Sequence, residues 1–317
     1  MSVVTISASG LRAISFDGSQ DAKRYILRGL HGWLDSTASK TQIVERQAGD
    51  GAHAINQHVW YEARTVTIEY RLMPDGMHDR GGLLAMQAAI RAYLHHEVTI
   101  RVQDADSDLY CQGYIDHIEV EQSAQNINRQ YVNGQIVMIC PRPQLLSTSE
   151  QQFQLIPRSM SGIGLSYGEE LVTWWTGEPN NSPSVLAERP TNTGLVYPLD
   201  YGDSEQSEGR VRGIFENHGS SPAYPMVIVQ GDWPHGVAFT LTDGHDTYQL
   251  AYGNTIDRNA PLALDFSRCA AIVDNTDMSR FLTKRAFPPV PEFGSLGIVL
   301  RSEGTGYVQC LCNDTYM

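Results

Sequence analysis

One serine of the chain lies in a pattern that resembles a hydrolase nucleophile. Residues 164–168 read Gly-Leu-Ser-Tyr-Gly, a spacing that can present an exposed serine on a tight strand-to-helix turn. Such a turn needs a buried apolar strand before it and a helix after it, whereas Arg-Ser-Met-Ser-Gly precedes and Pro179 follows. The acid and base partners that a triad would need lie among turn residues: Asp200, His218, His235 and His245. The sequence therefore favours a glycine-rich loop over a hydrolase with Ser166 as its nucleophile.

An acidic run resembles the start of a calcium-binding loop. Residues 104–108 read Asp-Ala-Asp-Ser-Asp, so carboxylates recur at alternate positions as they do in an EF-hand. The sixth position of that loop requires glycine and is Leu109, and the twelfth requires a bidentate glutamate and is Ile115. Because the sharp turn and the closing ligand are both missing, the run predicts a polar hairpin tip.

The remaining metal-binding residue types lack the spacing of shared ligands. Cys310 and Cys312 would point to one side of a strand, with no second pair nearby in sequence. Five scattered cysteines do not form a disulfide framework and favour reduced thiols. Two histidine pairs are adjacent or five residues apart: His95 with His96, and His53 with His58. No glycine-rich phosphate-binding loop leads into a helix, so we predict no catalytic, cofactor-binding or metal-binding residues, no cofactor and no enzymatic activity.

Three tryptophans leave a carbohydrate-binding alternative open. Trp174 and Trp175 lie in a segment rich in proline and asparagine, and Trp233 ends a strand-like segment. An exposed aromatic ring can stack on a sugar face or fill a pocket of a partner protein. A tryptophan beside a sheet edge can equally cover apolar surface, and the sequence does not separate these two roles.

The composition excludes several classes of protein. The chain has 317 residues, 41% of them hydrophobic and 19% charged, which is typical of folded globular domains and long enough for two of them. A formal net charge of −13 opposes binding to a phosphate backbone, so we expect no direct nucleic-acid contact. We find neither an apolar run long enough to span a membrane nor the pattern of a signal peptide, and therefore expect no membrane insertion and no general secretion.

Alternating apolar and polar residues predict an N-terminal region made mainly of strands. Residues 65–72 show the pattern most clearly, since every second side chain is apolar. Asp79 can cap one helix running to about residue 96, in which Leu83, Leu84, Ile90, Tyr93 and Leu94 recur at helical spacing. The other predicted strands of this region are 3–8, 12–17, 25–30, 98–103, 109–121 and 134–140.

A proline-rich stretch separates this region from a second set of strands. Seven prolines between Pro141 and Pro198 predict irregular backbone from about residue 140 to residue 209. Alternation then resumes, with turn signals such as Asp243-Gly244 between short segments, which predicts a second antiparallel sandwich. Its predicted strands are 211–216, 224–230, 237–242, 248–252, 262–266, 296–301 and 307–312.

Two strings carry a resemblance to a known family. Residues 194–202, Gly-Leu-Val-Tyr-Pro-Leu-Asp-Tyr-Gly, resemble the junction that leads into the second domain of siphophage distal tail proteins. Residues 215–231 resemble the start of the galectin-like domain of that family, where an Asn-x-Gly turn precedes a strand that carries proline and ends in glycine. The asparagine and glycine suit a tight turn, and Pro225 suits the start of a strand. Segments 262–266, 271–274 and 294–312 resemble later strands of the same domain.

The resemblance implies an all-β fold with one helix, divided in three. Residues 1–145 would form a tail-tube-like β-sandwich that closes a ring, 146–205 a proline-rich connector or insertion, and 206–317 a galectin-like β-sandwich. It implies a structural protein of the virion tail tip, made in the bacterial cytoplasm. The implied partners are copies of itself in a hexameric ring, the tail tube and tape measure proteins, and tip or receptor-binding proteins. The alternatives are a carbohydrate-binding adhesin of the tail tip, and a tail tube or other baseplate subunit.

Overall fold

A computed structural model describes residues 2–17, 24–40, 43–46, 50, 52–54, 61–74, 79–121, 131–157 and 211–317. The chain divides into two compact units. The first comprises Met1–Thr148 and Tyr316–Met317, and the second comprises Ser149–Thr315. Strands dominate both, and only one α-helix occurs among the described residues, so the predicted all-β class with a single helix is confirmed. No helix in these ranges is long and apolar enough to cross a membrane.

The strands of the first unit match the predicted ones within about two residues. Most of the predicted segments are strands in which alternate side chains are buried, as in the strand at Arg64–Leu72, whereas the strand at Tyr25–His31 has no buried residue. A short additional hairpin pairs Ile43–Glu45 with Ala52–Ala54. The strands are β1 (Val3–Ser7), β2 (Ile14–Asp17), β3 (Tyr25–His31), β4 (Ile43–Glu45), β5 (Ala52–Ala54), β6 (Arg64–Leu72), β7 (Glu97–Asp104), β8 (Ser107–Val120) and β9 (Val132–Cys140).

Seven of these strands form a sheet that closes on itself. Their order is β8-β7-β1-β2-β3-β6-β9, and β9 returns to pair with β8. All of these neighbours are antiparallel except β2 and β3, which are parallel and share the single pair Asp17 and Ile26. Closure buries one face of β6, on which Val66, Ile68, Tyr70 and Leu72 are at most 1% exposed. The first unit is therefore a barrel closed between β8 and β9, whereas the family resemblance implied a β-sandwich.

The predicted helix is present and begins where the sequence places it. Helix α1 (Arg80–Arg91) is capped by the carboxylate of Asp79, which accepts a hydrogen bond of 2.8 Å from the Gly82 amide. A 3-10 turn, Ala92–His95, continues it to the predicted end. Leu83, Ile90 and Tyr93 are buried as expected, whereas Leu84 and Leu94 are exposed and do not belong to the core.

The second unit contains two sheets around its own core. One has the order β17-β16-β15-β12-β20, with β10 beside β20, and the other has the order β11-β19-β13-β14-β18. Their inward faces meet in a cluster that includes Phe215, Phe239 and Leu241. The strands are β10 (Leu145–Leu155), β11 (Arg212–Glu216), β12 (Met226–Asp232), β13 (Val237–Thr242), β14 (Thr247–Tyr252), β15 (Leu262–Asp265), β16 (Ala270–Val273), β17 (Thr276–Asp277), β18 (Leu282–Arg285), β19 (Ser295–Leu300) and β20 (Thr305–Tyr316).

Strand β10 corrects the prediction of irregular backbone after residue 140. It runs for eleven residues inside the proline-rich stretch, and the boundary between the two units falls within it. Pro143 and Pro157 flank the strand, but no proline lies between them. Because proline disrupts a strand only where its ring and missing N–H fall within the ladder, a proline-free interval of this length can pair normally. Residues 158–205 of the predicted connector lie outside the described residues.

Two glycines of the second unit both have positive φ, but only one of them also lies close to neighbouring backbone. Gly231 has φ of 105°, and a Cβ there would lie 2.3 Å from the Thr305 carbonyl oxygen. Gly244 has φ of 93°, and a Cβ there would meet nothing within 4 Å. We predict that Gly231→Ala lowers the free energy of unfolding by about 3 kcal/mol, because strain and clash combine. Gly244→Ala should cost about 1 kcal/mol from strain alone. Urea unfolding of both variants checks this, and equal losses would contradict it.

Candidate functional site

The described residues contain no group of three or more histidine, cysteine, aspartate or glutamate side chains arranged to hold a metal ion. Cys310 and Cys312 lie on the same buried face of β20, as predicted. His95 ends the 3-10 turn and His96 follows it. The Gly-Leu-Ser-Tyr-Gly string with Ser166, and also Asp200, lies outside the described residues. The expected absence of catalytic, cofactor-binding and metal-binding residues stays a prediction.

The acidic run at 104–108 forms the tip of the β7–β8 hairpin. Asp104 pairs with Ser107 across a two-residue turn in which Ala105 has φ of 48°. The Asp108 carboxylate faces Arg101, whose Nε donates a hydrogen bond of 2.8 Å. This contact lowers the pKa of Asp108 to about 2, with Gln103 also donating to the carboxylate. The Asp108 carboxylate therefore binds side chains of its own hairpin, and the predicted polar tip is confirmed.

Trp233 is buried and does not present a ring to a sugar. Its side chain is 0% exposed, and its indole nitrogen donates a hydrogen bond of 3.1 Å to the Gln230 carbonyl oxygen. Gly304 lies against the ring so closely that a Cβ there would be 2.3 Å from it. The sugar-stacking hypothesis is therefore wrong for Trp233, since a ring covered by backbone cannot contact a ligand face. Trp174 and Trp175 lie outside the described residues.

The depression beside Trp233 contains both carboxylates and apolar residues, among them Ile156, Pro157 and Trp233 itself. It has a volume of about 950 Å³, and its lining includes Asp232, His235, Asp257 and Glu303. Two of the carboxylates hold turns, because Asp232 accepts a hydrogen bond of 3.0 Å from the Arg258 amide and Asp257 one of 3.3 Å from Asn259. These contacts give the carboxylates a structural role at the rim.

Arg64 organises one end of the barrel through a buried guanidinium group. The residue is 1% exposed and opens β6 at a position that points inward. Burial lowers its pKa from the ordinary arginine value. Four carbonyl oxygens surround the group: Nε donates to Pro143 at 2.7 Å, and Nη1 lies 2.8 Å from Gly32, 2.8 Å from Trp33 and 2.9 Å from Asp35. Arg64 therefore connects the turn after β3 with the segment that follows β9, because its guanidinium group contacts carbonyl oxygens of both.

Asn217 connects separate segments of the second unit through hydrogen bonds, as Arg64 does in the first unit. It is 2% exposed, and it is the asparagine of the Asn-x-Gly string that the sequence singled out. Its Nδ2 donates to the carbonyl oxygens of Ser221 at 2.8 Å and Pro291 at 3.0 Å. Its Oδ1 accepts from the amides of Gly219 at 3.0 Å and Thr315 at 3.2 Å. One amide group thus joins the turn after β11, the loop before β19 and the end of β20.

Comparison with solved structures shows which known fold the chain shares. The chain is similar to the crystal structure of the SPP1 Dit (gp 19.1) protein, which bears the description of a paradigm of the hub adsorption apparatus in phages that infect Gram-positive bacteria. The TM-score is 0.58 at 10% identity, and the match covers 99% of each chain. The chain has the fold of a phage Dit protein. No protein-family model and no curated protein matches it by sequence.

The chain is also similar to two structures of a phage baseplate. Two structures of the phage P2 baseplate in its activated conformation, one with calcium and one with strontium, match with a TM-score of 0.50 and 10% identity. Each match covers 99% of this chain and 98% of the other. Since the match extends over the full length, the likeness includes both units and their order in the chain.

A buried arginine at an inward strand position could have been found from the sequence. Arg64 continues the alternation of Val66, Ile68, Tyr70 and Leu72 by one step, so the periodicity itself places it inside. The predicted strand began at residue 65 and therefore missed it. A charged residue in phase with a core face indicates a side chain with dedicated hydrogen-bond partners, because an unpartnered buried charge is too costly.

Replacing Arg64 with lysine tests whether the contacts between its guanidinium group and the four carbonyl oxygens stabilise the fold. Lysine keeps the charge but has a single nitrogen and cannot reach carbonyl oxygens on both sides of a planar fork. We predict that Arg64→Lys lowers the free energy of unfolding by about 2 to 4 kcal/mol, because buried carbonyls lose their donors. The matched control is Arg101→Lys in the partly exposed ion pair with Asp108, which should cost less than about 1 kcal/mol because water screens that pair. Similar losses in chemical denaturation would contradict this.

Proposed function

We propose that the chain is a structural distal tail protein of a phage virion, which forms a ring between the tail tube and the tip proteins. The observation that carries the proposal is the match over 99% of both chains to a Dit protein, including both units in the same order. A tail tube or adhesin role would need only part of this arrangement. Under this proposal the protein is not an enzyme, and it is a component of the tail tip in a long, non-contractile phage.

The proposed ring partner is a further copy of the same chain. Closure of the barrel through β8 and β9 leaves no unpaired strand edge along that seam. A contact between copies along the seam would therefore use side chains on the outer wall. Tyr114 on β8 and Ile139 on β9 are direct cross-strand neighbours, 52% and 38% exposed, and together form an apolar pair on that wall.

The remaining partners follow from the position of a distal tail ring. Such a ring would contact the tail tube and tape measure proteins on one side and tip, hub or receptor-binding proteins on the other. The negative charge of the chain supports protein partners over nucleic acid. A carbohydrate-binding role would have to rest on Trp174 and Trp175, because Trp233 is covered.

Light scattering after size exclusion tests the ring directly. We expect the full-length protein to form an assembly of about six chains, consistent with closed cyclic symmetry. Tyr114→Asp should shift the protein towards monomers, because the carboxylate would be desolvated at a contact between copies. The matched control is Phe293→Asp, which changes a more exposed aromatic residue, 74% exposed, in the second unit.

The two variants are compared with the parent protein for folding and for assembly size. Circular dichroism and melting temperature establish that both variants are folded before their masses are compared. A parent protein that stays monomeric at every concentration would contradict the proposed self-assembly. An assembled parent whose size is unaffected by Tyr114→Asp would place the contact between copies elsewhere on the unit.

A further inference from the structure

Two thiols face each other inside the barrel, at the seam where the sheet closes. Cys111 lies on β8 and Cys140 ends β9, and their Sγ atoms are 3.1 Å apart. The residues are 2% and 0% exposed. Both are free thiols in this structure. The two sulfurs are closer than ordinary packing requires, so only a small movement would bring them within bonding distance.

Gly113 explains why the strands approach so closely at this point. A Cβ on Gly113 would lie 2.3 Å from the Ile139 carbonyl oxygen and 2.9 Å from the Cys140 Cα. Only glycine therefore fits between β8 and the end of β9 without displacing backbone. The residue allows the two thiols, which come from neighbouring strands, to reach each other. A disulfide needs a sulfur separation of about 2 Å, so the two side chains would have to approach by about 1 Å.

The surroundings of the pair shift the pKa values of the two thiols in opposite directions. The hydrogen bond from Cys111 lowers the pKa of Cys140, burial opposes this shift, and the positive charge of Arg64 supports it. The same hydrogen bond and burial raise the pKa of Cys111. Thiolate is the form of cysteine that attacks oxidants, so Cys140 is the member of the pair assigned to the first attack, and Cys111 lies 3.1 Å away, where it can complete the bond.

We propose that Cys111 and Cys140 form an oxidation site, at which a peroxide converts the two thiols into a disulfide across the β8–β9 seam. The Cys140 thiolate attacks one oxygen of hydrogen peroxide, and the O–O bond breaks to give a sulfenic acid and hydroxide, which takes up a proton to become water. The Cys111 sulfur then attacks Cys140 Sγ, the S–O bond breaks, and a second water leaves with the Cys111 proton. Two thiols are oxidised by two electrons, and one peroxide is reduced to two waters.

The bond would lock the closure of the barrel. It would join positions 29 residues apart in the chain, and linking them restricts the unfolded state more than the folded state, in which the sulfurs already touch. The oxidised protein should therefore unfold at a higher temperature than the reduced protein. The site lies in the first unit, and its existence does not depend on whether the protein assembles into a ring.

Peptide mapping of the full-length protein tests the proposal. Cys269→Ser serves as the parent, because it removes the exposed thiol that could link two molecules. The reduced parent is exposed to hydrogen peroxide, remaining thiols are alkylated after denaturation, and the digest is analysed without reductant. We expect a linked peptide that contains Cys111 and Cys140, has lost two hydrogen atoms and separates on reduction. Recovery of both cysteines as alkylated thiols, or as sulfinic acids without a link, would overturn the proposal.

Two further variants distinguish this pair from other buried thiols. Cys140→Ser in the parent should abolish the linked peptide and the rise in melting temperature of several degrees that oxidation produces. Cys310→Ser is the matched control, since Cys310 is also 0% exposed but lies in the second unit, and it should retain both. If Cys140→Ser does not fold, the map of the parent still decides the outcome. A melting temperature of the parent that does not change although the link forms would contradict the proposed locking of the seam.

Discussion

Strand β9 pairs with β6 on one side and with β8 on the other, and this double pairing decides how the first unit is built. Because β9 closes the sheet, the inward side chains of β6 and β9 are buried, so they must be apolar or fully hydrogen-bonded. Ile136 and Met138 meet the first condition, and both are 0% exposed. Arg64 meets the second, since carbonyl oxygens surround its guanidinium group. The close approach of Cys111 and Cys140 results from the same closure.

The second unit satisfies a similar requirement with an uncharged side chain. Asn217 uses both its amide hydrogens and its oxygen to connect three segments that are far apart in sequence. Gly219 makes this possible, because a Cβ there would lie 1.9 Å from the Thr315 carbonyl oxygen. An asparagine followed two residues later by glycine is therefore more than a turn signal here. The turn fixes where β11 ends relative to β20, and this explains why the Asn-x-Gly string is informative about the fold.

Local features of the sequence predicted local structure well. Alternation located nearly every long strand because burial of one face has the same period as the strand backbone. The position of Asp79 located the start of the helix because a carboxylate there can accept from an unpaired amide. The resemblance of two strings to distal tail proteins gave the fold of the whole chain, which its solved neighbours bear out. None of these signals depends on which strands pair.

Features that depend on non-local contacts were missed. Alternation does not reveal closure of the sheet, because β8 and β9 each have the same pattern whether or not they pair. The sequence left the role of Trp233 open, because its burial depends on Gly304, which is distant in sequence and packs against the ring. Strand β10 was missed because proline density was averaged over a region in which the prolines are unevenly placed. Leu84 fits the helical spacing of the apolar residues but is exposed, so the spacing selects more residues than the core contains.

Under the proposed function, this two-unit protein forms a ring at the tip of a phage tail. Immunogold electron microscopy of virions produced by the genome that encodes the chain tests it most directly, using antibodies against the second unit. We predict gold particles at the end of the tail farthest from the capsid, with none along the tube. Labelling along the length of the tube would indicate a tube subunit, and particles without any label would contradict a role in the virion.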